Sequence, residues 1–247
     1  DIRTPMNAIV GFSQLMLRHY NNPDKVRNYS EKIVVSSQHL LSLINDVLDM
    51  SKIESGKTTL NLCDVNLADI INETDNIIRP QAKKKNQTFV VKSDGVEYCC
   101  ITADKLRLSQ ILINILSNAV KYTEEGGNIT FEIKEIKVTN PQIVKYKFII
   151  SDNGIGMSEE YLKDIFKPFT REETSLTDAV QGTGLGMAIT KNLIDLMGGT
   201  IKVLSTQGVG TTYEVTMEFR IADINTNKDL WNRYNLSLIH ISEPTRH

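Results

Sequence analysis

The segment ahead of residue 57 is best satisfied by two long amphipathic helices separated by a single turn. Ile2, Met6, Ile9, Ser13 and Met16 recur at alternating steps of four and three residues as far as the sequence HYNNPDK, the repeat of one helical face. Asn22-Pro23-Asp24 combines a turn former with a helix-start signal. A second stripe follows, built from Ile33, Val34, Leu40, Leu41, Ile44, Val47 and Leu48. Two helices with unbroken apolar stripes cannot bury both of them against each other. Either two copies of the hairpin pair as a homodimeric four-helix bundle, or the hairpin docks on a globular domain of its own chain.

Within ESGKTTLNLCDVNL the pattern changes from helical to mixed, which divides the chain into a hairpin (1–57), a second domain (58–222) and a tail (223–247). The second domain predicts strands near 59–65, 88–92 and 98–102, with helices over 67–82 and 104–122. Two β-rich runs follow, NITFEIKEIKV and VKYKFIISD, then a short helix after Met157 and an irregular stretch from Phe166 to Gly182. A helix over 185–197 and the strands TIKVLST and GTTYEVTMEF complete it. Without regular βαβ alternation, this predicts an α+β sandwich, a sheet covered by helices on one face. The tail has no sustained period, and its LSLIHISEPTR resembles translated vector sequence, so no role falls to His240 or His247.

Composition removes several function classes. The chain has 247 residues, 40% hydrophobic and 23% charged, with a net charge of −2, which argues against nucleic acid or an anionic membrane as partner. Lys83-Lys84-Lys85 reads as a solvated helix end. Cys63, Cys99 and Cys100 form neither a disulfide framework nor a CxxC zinc pair, and suit reduced thiols in a cytoplasmic setting. No signal peptide or bilayer-length apolar run occurs, so any membrane attachment is expected upstream of Asp1.

Three stretches carry chemistry. In DKLRLSQILINILSNAVKYT, Arg107, Gln110, Asn114, Asn118 and Lys121 share one stripe, while Leu108, Leu112, Ile115, Leu116 and Ala119 occupy another arc. Asparagine is a poor helix former, so two of them one turn apart, aligned with a lysine, call for a reason. A solvated polar face is one reason. The other is a metal–phosphate site, with Asn118 offering a neutral oxygen to Mg²⁺ and Lys121 a charge to phosphate. In FIISDNGIGM, Asp152 ends an apolar strand beside Gly154 and Gly156. This is a plain turn, or a carboxylate that accepts a base's exocyclic amine where bare backbone admits the flat ring. In QGTGLGMAI, Gly182, Thr183, Gly184, Leu185 and Gly186 lead into a helix whose unpaired first-turn N–H groups suit phosphate. Walker A, HRD and DFG signatures are absent. Between the last two stretches, FKPFTREETSLTDAVQ has the length of a lid, with Phe166 and Phe169 expected to anchor its near end on the core.

In this order the stretches resemble the N, G1, F and G2 boxes of sensor histidine kinases, and DIRTPMNAI resembles the end of that family's H box. The resemblance spans about residues 1–220. It implies a dimerising phosphotransfer hairpin followed by a Bergerat-type (GHKL) ATP-binding α/β sandwich, with ATP and Mg²⁺ as ligands. It further implies Asn118 as the Mg²⁺ ligand with Asn114 as its partner, Lys121 on phosphate and Tyr122 along the nucleotide. Asp152 would read adenine above Gly154 and Gly156, Phe169 would belong to the lid, and residues 182–186 would meet the phosphates. Thr212 would lie on the adenine side.

By the same resemblance the acceptor histidine would stand immediately before Asp1. Asp1 would orient it, and Thr4 would position a water for dephosphorylating a partner response regulator. His19 and His39 are weak candidates for acceptor. This stretch alone is therefore expected to bind Mg-ATP without labelling itself. Gyrase-type and chaperone ATPases share the fold but carry a glutamate where this chain has Asn114, which favours a kinase. A nucleotide-binding scaffold without kinase activity is the remaining alternative.

Overall fold

The computed structural model describes residues 2–56, 58–93, 96–172 and 183–222. Asp1, Gly182, the lid residues 173–181 and the tail 223–247 lie outside the described residues. Helix α1 (Arg3–Arg18) and helix α2 (Pro23–Glu54) form the hairpin. Asn22 starts α2: its side-chain oxygen accepts the Lys25 N–H at 3.1 Å, and Pro23 takes the first helical position, where no N–H is needed. Phe12 stacks on Tyr29 with ring centroids 6.2 Å apart. Ser30 Oγ donates to Met16 Sδ across the pair at 3.3 Å. Much of the stripe stays uncovered: Ile2, Met6, Val34, Leu41, Ile44, Val47 and Leu48 remain exposed.

The second unit runs β1 (Cys63–Asn66), α3 (Leu67–Lys84), β2 (Thr88–Lys92), β3 (Cys100–Ala103), α4 (Lys105–Tyr122), β4 (Asn128–Ile136), β5 (Ile143–Asp152), α5 (Glu159–Asp164), α6 (Gly186–Leu196), β6 (Thr200–Thr206) and β7 (Gly210–Ile221). The seven strands make one sheet ordered β1-β3-β7-β5-β4-β2, with β6 paired to β7. Among the described strands only the β2–β4 pair is parallel. Strand alternation sends Tyr146, Phe148 and Ile150 of β5 and Val215 and Met217 of β7 into the core. The opposite face carries ion pairs between those strands, Lys145–Glu218 at 2.9 Å and Lys147–Glu214 at 3.0 Å.

Side-chain caps fix two of the helices that close the core. Asn66 accepts the Ala68 N–H to start α3. Asp104 accepts the Arg107 N–H to start α4, and its other oxygen accepts the Asn61 N–H at 2.9 Å. The apolar arc of α4 (Leu108, Leu112, Ile115, Leu116 and Ala119) is buried as the spacing requires, joined by Ile111 and Val120.

Two features depart from the sequence reading. Lys85 is half-buried rather than solvated, and its ammonium is fully engaged in hydrogen bonds. Phe166 packs against the core, but Phe169 is 71% exposed and sits at a left-handed φ of 62°, so only one of the two phenylalanines anchors the lid. No helix among the described residues is long and apolar enough to cross a membrane.

Truncating fully buried Leu112 to alanine should lower the unfolding free energy by about 2–5 kcal/mol, read as a shift in urea midpoint. The exposed Leu62 changed the same way should stay within about 0.5 kcal/mol.

Candidate functional site

A cavity of about 460 Å³ opens between α4, the β5–α5 connection, the start of α6 and α2. One end is apolar, with Met157, Ile165 and Tyr161 around Asp152 and Tyr213. Asp152 ends β5 with its carboxylate accepting the Gly154 N–H at 2.9 Å. Burial raises its pKa above the usual carboxylate value, against the lowering effect of backbone N–H donors from Gly154 and Thr211. Gly154 is required by close approach: a Cβ there would lie 2.4 Å from the Tyr122 carbonyl oxygen.

The middle is the polar stripe of α4, whose Asn114, Ser117, Asn118, Lys121 and Tyr122 line the cavity. Lys121 stands 4.9 Å from the centre of the Tyr122 ring. Desolvation, reinforced by the Arg171 guanidinium, lowers its pKa to about 8. Asn114 Nδ2 is turned to α6, donating to Thr190 Oγ1 at 3.3 Å and to the Gly186 carbonyl at 3.5 Å. The first turn of α6 has no side-chain cap and no acidic residue, while Thr183 Oγ1 accepts the Leu185 N–H at 3.0 Å. Gly184 adopts φ +70°, and a Cβ on it would come within 2.9 Å of the Phe169 backbone.

The far end is closed by α2, through His39, Ser42 and Asp46. Thr183 Oγ1 donates to Asp46 Oδ2 at 3.3 Å. Burial raises the Asp46 pKa, countered by the Thr183 hydrogen bond. One turn on, Asp49 accepts hydrogen bonds from Arg107 at 3.2 Å and from Gln110 at 3.0 Å. The polar stripe of α4 thus serves two purposes: Arg107 and Gln110 hold the hairpin, and Asn118 and Lys121 face the cavity.

Two family profiles match this architecture. Residues 1–56 match "His Kinase A (phospho-acceptor) domain", and residues 103–221 match "Histidine kinase-, DNA gyrase B-, and HSP90-like ATPase". The chain belongs to the sensor histidine kinases. It is 37% identical over 232 residues to the non-motile and phage-resistance protein of Caulobacter vibrioides, covering 93% of this chain and 27% of that one. It is 35% identical over 218 residues to the autoinducer 2 sensor kinase/phosphatase LuxQ of Vibrio vulnificus, covering 88% and 25%. The chain therefore spans about a quarter of the length of these relatives. Among solved structures, full-length ShkA in complex with AMPPNP superposes with a TM-score of 0.66 at 27% identity, over 89% of this chain and 44% of that one. Histidine kinase ThkA in complex with response regulator protein TrrA gives 0.62 at 25% identity, over 88% and 58%.

Of the residues singled out from sequence, the cavity brings together Asn114, Asn118, Lys121, Tyr122, Asp152, Gly156, Thr183, Gly184 and Gly186. Others stand elsewhere. Gly154 is buried against Tyr122, and Leu185 is a core residue. Phe169 points outward, and Thr4 is exposed on α1. Thr212 lies on the opposite face of the sheet, its hydroxyl 3.0 Å from that of Ser151; Thr211, directly across from Asp152, faces the cavity instead. A one-residue offset on a strand exchanges faces. Tyr161 and Ile165, four apart around α5, also line the cavity, and their spacing is the signal of one helical face that the sequence carries for them.

A site-resolved titration of Lys121 should show a midpoint near 8. Arg171→Gln should raise that midpoint, because it removes a neighbouring positive charge.

Proposed function

We propose that the chain is the kinase core of a two-component sensor, binding Mg-ATP in the 460 Å³ cavity and passing the γ-phosphoryl to a histidine and then to an aspartate of a response regulator receiver domain. The observation that carries this reading is the convergence of Asp152, Lys121, Asn118 and the uncapped start of α6 on one cavity whose remaining wall is the phosphotransfer-type hairpin. Residues 1–57 are the hairpin and residues 58–222 the nucleotide domain. Support for the ligand comes from the ATPase-type profile over residues 103–221 and from the AMPPNP complex of ShkA. Support for the partner comes from the ThkA–TrrA complex.

Asp152 accepts the adenine amine, Met157 and Ile165 enclose the ring, and Lys121 and the α6 start carry the phosphates. Among the described residues no group of three His, Cys, Asp or Glu side chains converges to hold a metal unaided. The amide oxygen of Asn118 fits Mg²⁺, which takes few protein ligands when phosphates supply the rest. When bound, that ion neutralises phosphate charge during transfer. The ATPase alternative needs a base on α4, and Asn114 supplies an amide already committed to α6. The uncovered stripe of Met6, Leu41, Val47 and Leu48 is filled by a second copy, giving the four-helix bundle.

Calorimetric titration should show Mg-ATP binding that loses its Mg²⁺ dependence in Asn118→Ala, with affinity down about ten- to a hundredfold. Affinity should be full below pH 8 and fall as the pH rises through about 8, where Lys121 loses its proton; Lys121→Met should flatten that profile. A chain carrying a histidine ahead of Asp1 should become labelled by γ-labelled ATP, and the present chain should not. Labelling of the present chain that disappears in His39→Gln would overturn the placing of the acceptor, since His39 also lines the cavity. Sedimentation should show Leu48→Asp shifting a dimer to monomer.

A further inference from the structure

The last turn of α4 presents Lys121 and Tyr122 to the cavity, and its carbonyls are satisfied from outside the helix. A helix leaves its final carbonyls without internal partners. Here Lys85 Nζ donates to the carbonyls of Val120, Lys121 and Thr123 at 2.9, 2.9 and 3.0 Å. An ammonium has three N–H donors, so each has one carbonyl. Gln87, a buried residue, donates from Nε2 to the carbonyls of Val120 at 3.1 Å and Thr123 at 2.7 Å. The remaining carbonyl, that of Tyr122, accepts the Ile155 N–H at 3.1 Å, tying the helix end to the loop after Asp152. The contact is reciprocal, because the Gly126 N–H donates back to the Lys85 carbonyl at 3.1 Å.

Neutral donors satisfy such carbonyls, but a half-buried cation at a helix C-terminus also opposes the negative end of the helix dipole. Hydrogen bonds from a charged donor are the stronger kind. From this geometry we propose that Lys85, seconded by Gln87, is a positioning residue for the nucleotide site. It fixes the last turn of α4, and through it holds Lys121, Tyr122 and the loop from Asn153 to Ile155 in register around the cavity. The inference rests on the nucleotide-site reading above and adds to it a residue outside the cavity wall.

The test compares Lys85→Met, Lys85→Arg and, as a stability-matched reference at the other end of the sheet, Phe219→Leu. Each full chain is titrated with Mg-ATP and followed by amide hydrogen exchange. Lys85→Met should bind about tenfold more weakly, the scale of losing hydrogen bonds from a charged group. The Ile155 amide in Lys85→Met should exchange faster relative to the core amide of Phe148. Lys85→Arg, which keeps charged donors at this position, should recover most of both losses. Phe219→Leu should lower the melting temperature without either effect. If Lys85→Met does not fold, Lys85→Gln is read by the same two measurements and should show smaller losses in the same direction. Unchanged affinity and unchanged relative exchange at Ile155 would overturn the proposal, as would a loss equal to that of Phe219→Leu. Failure of the wild-type chain to bind Mg-ATP would sink the nucleotide reading by itself, and the Ile155 exchange comparison would still decide the role of Lys85.

Discussion

The site depends on holding one helix at both ends. At its start, Asp104 bonds the first turn of α4 with one carboxylate oxygen and the Asn61 backbone with the other. At its end, Lys85 and Gln87 take up the open carbonyls. Between these clamps the apolar arc of α4 is buried without remainder. Rotation about the helix axis would therefore expose leucine and isoleucine side chains, at about 1.5–3 kcal/mol for each one fully uncovered. That resistance gives the polar stripe a fixed bearing. Asn118 and Lys121 face the cavity because Leu112, Ile115 and Leu116 cannot face anywhere but the core.

The same fixed bearing brings the hairpin and the nucleotide domain together. Arg107 and Gln110 belong to the stripe that carries Asn118, and they meet Asp49 of α2. Next to them, Thr183 at the start of α6 meets Asp46. The two readings of the hairpin stripe, self-association or docking on the chain's own domain, are therefore compatible. On α2, Asp46 and Asp49 make polar contacts to the second domain, and Leu41, Val47 and Leu48 of the stripe remain exposed.

Sequence patterning revealed what depends on local periodicity. The apolar and polar arcs of α4, the Asn22-Pro23 start of α2 and the strand ending at Asp152 all obey spacing rules that need no tertiary knowledge. Misplacements arose where one residue of offset or one distant contact decides. Thr211 and Thr212 are equivalent in composition, and only the register against β5 shows which one faces the cavity. Lys85 is the third lysine of a run that resembles a solvated helix end, and its partners lie some 35 residues away in sequence. Gly154 suggested access for a flat ligand, whereas its missing Cβ makes room for the Tyr122 carbonyl. The contribution of α2 to the cavity was illegible for the same reason: Asp46 and Thr183 are 137 positions apart.

The Asp46–Thr183 contact has an electrostatic consequence for the proposed chemistry. Asp46 stands at the end of the cavity nearest the start of α6, and that helix start is where phosphate would be held. A carboxylate and a triphosphate at one place repel each other unless a cation or a proton intervenes, and burial already pushes Asp46 toward its neutral form. Neutral Asp46 would remove that repulsion while its carboxyl oxygen still accepts the Thr183 hydroxyl, so a single proton would serve both the docking contact and the phosphate end. The proposed phosphate end of the cavity and the docking of the hairpin thus share the side chains of Asp46 and Thr183. A ligand at that end would shift the docking of the hairpin only through its differential affinity for the docked and undocked states. The Asp49 contacts lie one turn away and outside the cavity lining, so they hold the hairpin independently of what occupies the cavity.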